Sequence, residues 1–465
     1  MSGFGATLRC GIPWAGVVWK YLVEGHRVMT ASHTSIPDHT TKTTCAIAGG
    51  GPAGLVLGLL LARAGVEVTV LEKHADFLRD FRGDTVHPTT LALLDDLGLF
   101  ERFNALPQSR LSHMQLPDAH GKDVVMVDFT RLPVRHPYIA MVPQWDLLNL
   151  LAEAAAQEPS FSLFTEHDVT DVLREGNRVV GVEYQSPNGK GRLLADLTIA
   201  CDGRGSTIRQ AVDLPTKTFP ADFDVWWYRI TTNQEIGTAL LPQVHKNQLA
   251  IVIPREGYLQ VAQLGPKGTD HEVRARGIET FRAQVADLLP AVADDVSSID
   301  SMDNVKHLEV RVDRLRRWYA AGVLCIGDAA HAMSPVGGIG INLAVQDAVA
   351  TARLLAEPLR RGDFQNDDGQ RPLAAVQRRR MLPTVLIQGL QRVLHAVVIM
   401  PVLQGKPLQV PKVLTGLMNR APFLSAIPAF AVGIGPRPEK APRWARRTPS
   451  RATVKTAFGT ILRMS

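Results

Sequence analysis

Thr44-Cys-Ala-Ile-Ala-Gly49-Gly50-Gly51-Pro52-Ala53-Gly54 is the stretch that decides the fold. Thr44 to Ala48 is a short apolar run of the kind buried in a parallel strand. Leu55 to Ala64 then places apolar residues at helical spacing. Val66-Glu-Val-Thr-Val-Leu71 is a second strand, rich in β-branched residues, that ends at Glu72 and Lys73. In such a strand–turn–helix–strand unit Gly49 permits the tight turn, and Gly51 lets backbone amides approach a pyrophosphate. Gly54 allows the helix to pack closely on the strand. Pro52 and Ala53 open the helix, whose unpaired N–H groups favour phosphate. Glu72 is placed to accept hydrogen bonds from an adenosine ribose. A lone GxGxxG can be a plain loop, but the complete unit points to a bound dinucleotide. NAD and FAD both use such a unit, and nothing within it decides between them.

Two later segments bear on that choice. Ala321-Gly-Val-Leu-Cys-Ile-Gly327-Asp328 is a strand ending in Gly-Asp. It is followed by Ala-Ala-His331-Ala-Met-Ser-Pro335-Val-Gly337-Gly338-Ile-Gly340-Ile341-Asn342 and a helical pattern over Leu343 to Leu359. A carboxylate at a strand end can hold ribityl hydroxyls, and a glycine-rich turn feeding a helix can present amides to an electron-rich ring edge. Helix capping alone does not call for three glycines in four residues. The other segment is Ala195-Asp-Leu-Thr-Ile-Ala-Cys-Asp202-Gly203-Arg-Gly-Ser206.

These segments resemble the second FAD motif and the Asp-Gly motif of the class A FAD-dependent monooxygenases, the para-hydroxybenzoate hydroxylase-like aromatic hydroxylases. The resemblance covers roughly residues 43–435, with three motifs in order. It implies FAD as cofactor and places Asp328 on the ribityl chain. It sets the amides of Ile341 and Asn342 at the pyrimidine edge, with Gly338 and Gly340 in the turn, and Pro335 near the reactive edge of the flavin. It adds Asp202 and Gly203 to the cofactor site, and suggests Arg82 and Gln144 as further contacts. On their own residues these last two read as a loop arginine and a helix-start glutamine. Ile339 stands where some relatives carry a Lys, so charge tuning by that side chain is absent. The implied reaction uses NADH or NADPH as a transient co-substrate and O2. An oxygen is transferred through a C4a-hydroperoxyflavin to an aromatic or polyketide-like small molecule. An FAD-dependent dehydrogenase or reductase on the same fold, and a non-catalytic flavoprotein binder of hydrophobic compounds, are the alternatives. No residue is assigned as catalytic.

What the chain lacks narrows the field. No second GxGxxG unit follows, since Gly433-Ile-Gly435 lacks a βαβ surround, so the nicotinamide has no domain of its own. There is no GxxxxGK[ST], HExxH or GxSxG, which leaves phosphoryl transfer, zinc proteolysis and α/β-hydrolase chemistry without support. The fourteen histidines are scattered without ligand spacing, and no metal is expected. The Trp-x-Trp-x-Ile-Pro signature of flavin-dependent halogenases is absent; Trp226-Trp-Tyr-Arg-Ile-Thr231 does not match it.

The fold class expected is α/β. A Rossmann-type FAD-binding domain (43–215 and 313–382) receives an inserted antiparallel-sheet substrate domain (216–312) and is followed by a C-terminal helical region (383–435). Turns near Gly176-Asn177 and Pro187-Asn188-Gly189 punctuate a β meander over 168–200. Val225 to Thr231, Leu249 to Ile253 and Tyr258 to Leu264 read as strands, and Gly277 to Leu289 as a helix. Alternation sends Trp226 and Tyr228 to one face of their strand and Trp227 and Arg229 to the other. An aromatic-substrate pocket and an ordinary core strand both fit that cluster. Residues 383–435 read first as core packing on the FAD domain. A membrane-surface contact is the lesser reading.

Charge and cysteine content complete the frame. The last thirty residues, a basic tail from Pro436, carry eight Lys/Arg and one Glu, a net +7 against +6 for the whole chain. The remainder is therefore net −1, and a nucleic-acid partner is not expected. The tail's Pro, Arg, Ser and Thr favour a solvated segment. Residues 1–42 look foreign to the fold: an extension, or a start misassigned upstream of Met29. The four cysteines, Cys10, Cys45, Cys201 and Cys325, form no CxxC, which suits a reduced cytoplasmic setting. A homodimer is compatible with this reading.

Overall fold

The computed structural model describes residues 40–78, 84–118, 120, 122–234, 241–245, 247–365, 370–408 and 411–448. The first strand, Thr41–Ala48, lies parallel between Gly189–Ala200 and Val68–Leu71. Phe161–Phe164 and Val323–Cys325 extend the parallel order outward on either side. The meander takes shape as the hairpin Asp168–Glu175/Arg178–Ser186, paired antiparallel onto the start of Gly189–Ala200. One long strand thus belongs to the hairpin at its beginning and to the parallel sheet at its end.

The first helix, Pro52–Arg63, has no polar face. Leu55, Leu57, Leu59, Leu60 and Leu61 are all fully buried, because the sheet covers one side and the helix Ile339–Arg361 another. A helix apolar all round is stable only when enclosed in this way. Each enclosed leucine contributes about 1.5–3 kcal/mol of transfer free energy.

The chain leaves for the second sheet through Thr216–Phe219 and returns through Val312–Leu315, which pair as a two-stranded ribbon. Between them five antiparallel strands follow the order Leu241–His245, Gln248–Arg255, Tyr258–Pro266, Phe223–Thr231, Lys306–Leu308. Trp226 and Tyr228 are buried against the helix Gly277–Leu288, where Tyr228 meets Phe281 edge-to-face. For these two rings the core-strand reading is the right one. Trp227 points the opposite way and packs against the apolar clusters that Met141 and Val336 of the first domain also join.

Two features differ from expectation. The expected boundary at 382–383 falls inside one continuous helix, Gln370–Leu394, with Pro383 buried in its interior. The polar run 370–382 reads as a separate element in sequence, yet its inward face, including Leu373, Val376 and Arg380, is buried. The tail is not wholly solvated either. Residues 436–448 lie on the first domain, with Ala441 and Ala445 buried. Arg447 N donates to Asp96 O at 3.1 Å, and Arg63 Nη1 donates to Ala445 O at 2.9 Å. Residues 1–39 and 449–465, on which the other terminal readings fall, lie outside the described residues.

Candidate functional site

The three motifs converge through contacts that leave no room for side chains. Gly49 adopts φ +100°, and a Cβ there would lie 2.4 Å from Cys201 O, the residue before Asp202. A Cβ on Gly54 would come within 2.0 Å of Gly49 O, so the helix can approach the turn only through glycine. Gly327, at the end of the other motif strand, would set a Cβ 3.4 Å from Ala53 and 3.1 Å from Ala344. Gly51 is different: a Cβ there meets nothing within 4 Å. It is the N-cap of Pro52–Arg63, has no side-chain cap, and has Pro52 immediately after it. The amides of the first turn therefore look into open space, as an anion-binding turn must.

Glu72 is 4% exposed and braces this turn: its Oε2 accepts from Gly50 N at 2.8 Å and its Oε1 from His74 N at 3.0 Å. Lys73 beside it is exposed.

Asp202 supplies the clearest vacancy in the hydrogen bonding. Its Oδ2 accepts from Ile208 N at 3.3 Å, while its Oδ1 is buried without any partner. Burial pushes its carboxyl above the usual range, against hydrogen bonds from Ser206 and nearby amides. Gly203, at φ +82°, again faces open space. A buried acceptor with no donor beside an empty glycine turn fits the hydroxyl-rich chain of a dinucleotide. Asp328 is half-buried at the end of Val323–Cys325.

The glycine turn after Asp328 is held from behind. Asp347 is fully buried; its Oδ2 lies 3.1 Å from Gly327 N and 2.6 Å from His331 Nε2, and its Oδ1 accepts from Arg380 Nε at 2.8 Å. Burial works to raise this carboxyl's pKa, but His331 and Arg380 hold it below the ordinary value. His331 is thus a loop-holding residue. Further along, Gln391 accepts from Ser334 N at 3.2 Å and donates to Ser334 O and Val336 O, each at 2.9 Å. His395 Nε2 lies 2.8 Å from Ser334 Oγ. Pro335, between the two clamped residues, stays half-buried.

Gly338 packs tightly on Thr85, whose Oγ1 donates to Gly338 O at 2.9 Å. Asn342 is locked by Thr89 and Thr90, whose hydroxyls donate to its Oδ1 at 2.7 and 2.8 Å. Gly340 and Ile341 lie with it in the first turn of Ile339–Arg361, where backbone N–H groups lack intrahelical partners.

The second sheet closes over this turn. Arg255 and Asp84 form a buried ion pair at 2.9 Å between the two domains, and Arg255 Nη1 donates to Met141 O at 2.5 Å. Burial raises the Asp84 carboxyl, opposed by Arg255, by Gln260 and by the Gln144 amide. Gln144 therefore meets the site through its backbone, at the start of Gln144–Ala155. Gln260 is 2% exposed, and its side chain is one of the groups that hold Asp84. Trp227 Nε1 is buried without a partner among the described residues. Trp227 pairs with Ala262 and Arg229 with Gln260, so Trp227 and Gln260 are diagonal neighbours on the face toward the flavin turn. Arg82 lies outside the described residues.

Sequence reasoning did not single out Asp347, Gln391, the Thr89–Thr90 pair, the Asp84–Arg255 bridge or Gln260. One signal was available: Arg380, Gln388, Gln391 and His395 recur at helical spacing inside an apolar segment, the pattern of a polar seam on a buried face.

Residues 42–367 match the family model described as an FAD binding domain. The chain is 32% identical over 363 residues to 6-methylpretetramide 4-monooxygenase of Streptomyces rimosus, covering 75% of this chain and 82% of that protein. It is 29% identical over 338 residues to para-nitrophenol 4-monooxygenase of Pseudomonas sp. (strain WBC-3), covering 68% and 78%. Among solved structures it is similar to an anhydrotetracycline hydroxylase from Streptomyces rimosus. There the TM-score is 0.66 at 24% identity, covering 84% of this chain and 76% of that one, a likeness of fold.

Proposed function

This chain belongs to the FAD-binding-domain family of FAD-dependent monooxygenases, and we propose that it hydroxylates an aromatic or polyketide ring whose oxygen substituent is held by Trp227. It is an FAD-dependent aromatic monooxygenase using O2. Bound FAD supplies two-electron reduction by NADH or NADPH and the activation of oxygen for insertion into the substrate.

The protein's part is to hold, orient and keep dry. Gly51, Pro52, Ala53 and Gly54 would present the first-turn amides to the pyrophosphate, with Glu72 on the ribose. Asp328 would take ribityl hydroxyls, with Asp202 and Gly203 completing the cofactor cradle. The amides of Ile341 and Asn342, fed by the Gly338–Gly340 turn, would face the pyrimidine edge, where charge collects on reduction. Pro335, fixed by Gln391 on both sides of it, would border the reacting edge. Gln144 and Arg82 are assigned as outer contacts and Lys73 as a solvent-side neighbour. The nicotinamide visits and leaves, and a cytoplasmic location supplies it.

The observation that carries the substrate class is the buried donor Trp227 Nε1, which lacks an acceptor among the described residues. A buried donor left unpaired costs about 1–3 kcal/mol, a penalty relieved when a ligand brings an oxygen. An oxygenated ring supplies that acceptor, and its oxygen also makes the ring electron-rich enough to take up an electrophilic oxygen. Titration of holoenzyme with a phenol and with the same ring lacking its hydroxyl, followed by flavin absorbance, tests this reading. Tighter binding of the phenol is expected; equal binding contradicts it.

A further inference from the structure

Residues 370–438 contain no Asp or Glu and nine Lys/Arg. The same segment holds nine of the eleven large apolar side chains that stand exposed among the described residues. Val393 and Val397 on the long helix are 58% and 68% exposed. Val413, Phe423 and Ile427 on the following short helices are 86%, 65% and 65% exposed. The helical run Gln370–Leu403 is long and apolar, yet only 33% of its most apolar stretch is buried. The two parts adjoin, since Val432 of Ala426–Gly433 packs in the same cluster as Ile387. Exposed apolar area on this scale marks an interaction surface.

We propose that this face docks the enzyme on an anionic phospholipid surface. The side chains divide as an interfacial element requires. Arg380, Gln388 and Gln391 turn inward to hold Asp347 and the flavin turn. Exposed Val, Leu, Ile and Phe side chains turn outward among Arg378, Arg392, Lys406 and Arg420, which are exposed as well. The buried polar seam and these arginines set the helix on a bilayer rather than across it. Charge selects the partner. A second copy seated symmetrically on this face would set exposed Arg378, Arg392, Lys406 and Arg420 against their own counterparts, with no carboxylate from residues 370–438 between them. A bilayer carrying anionic headgroups takes both the cations and the apolar side chains. The docked face adjoins the site: His87 lies 3.0 Å from Val432 O with one ring nitrogen and 3.1 Å from Gly338 O with the other.

The test is flotation of full-length holoenzyme with vesicles of equimolar phosphatidylcholine and phosphatidylglycerol, and with pure phosphatidylcholine vesicles. Binding to the anionic vesicles at least ~10-fold above the neutral ones, weakening as salt rises, is expected. The pair Phe423→Glu/Ile427→Glu, and separately Lys406→Glu/Arg420→Glu, should each lower that binding about ten-fold with unchanged flavin content and melting temperature. Absence of binding to either vesicle, equal binding to both, or binding indifferent to both variant pairs overturns the proposal. So does light scattering that shows a dimer dissociated by the same glutamates.

Discussion

His331 Nε2 lies 2.6 Å from Asp347 Oδ2, and neither side chain is exposed. The carboxylate thereby joins the turn after Asp328 to the core of the helix that carries Asn342. With Arg380 on its other oxygen, it is the anchor of the entire flavin turn.

Replacing Asp347 with Asn therefore leaves Arg380 buried opposite a neutral amide. Breaking a buried pair in this way costs about 3–5 kcal/mol. Thermal unfolding should show that loss, and the purified variant should carry less flavin by absorbance. A variant of unchanged stability contradicts the anchoring role.

Two glycines of one turn should behave oppositely. Gly54→Ala drives a Cβ into Gly49 O and should destabilise the protein even before cofactor is added. Gly51→Ala meets nothing in the protein, so the apoprotein should keep its stability while FAD affinity falls. Unfolding of apoprotein and FAD titration separate the two. Full FAD affinity in Gly51→Ala would remove the pyrophosphate from that turn.

Trp227→Phe removes the unpaired donor without cutting into the flavin turn. Substrate affinity for an oxygenated ring should fall about 10-fold or more, from a hydrogen bond of about 1.5–3 kcal/mol where the oxygen is charged. Flavin content should stay at the wild-type level. The relevant readout is KM against kcat, and an unchanged KM contradicts the substrate assignment.

His87 is fully buried, and desolvation lowers its pKa from 6.5 to about 4, opposed only by its contacts with Val432 O and Gly338 O. Between those two values the unfolded chain binds a proton that the folded chain refuses, so stability rises with pH across this window. Stability from this group is complete above about 6.5 and is lost as pH falls toward about 4, a span of roughly 3 kcal/mol. Urea unfolding from pH 4 to 7 should show a shallower slope for His87→Leu than for wild type. Parallel slopes contradict it.

The nucleotide unit was legible because its physics is local. Gly49, Gly51 and Gly54 fall at fixed spacing between a strand and a helix, and their contacts in the fold match the jobs that spacing assigns. Trp226 and Trp227 were separable to opposite faces by strand alternation alone. The anchors were not legible. Asp347 meets Arg380 across 33 residues, and Asp84 meets Arg255 across 171. No periodicity encodes such pairings; the first exists only once two helices of one domain pack, and the second only once two domains close on each other. The tail misled for a related reason. Its composition is that of solvated chain, but buried Glu439 gathers Arg353 at 2.7 Å and Arg379 at 2.5 Å, which fixes residues 436–448 in place. Residues 383–435 read first as core packing because hydropathy does not reveal which face of a helix finds a partner.

Oxygen insertion is tested by single-turnover reaction of NADH- or NADPH-reduced holoenzyme with isotopically labelled O2 and a panel of phenolic and polyketide rings. Nicotinamide-dependent oxygen uptake and a product containing one labelled oxygen atom are expected. Substrate oxidation without labelled oxygen in the product, or tight ring binding without any oxidation, would contradict it.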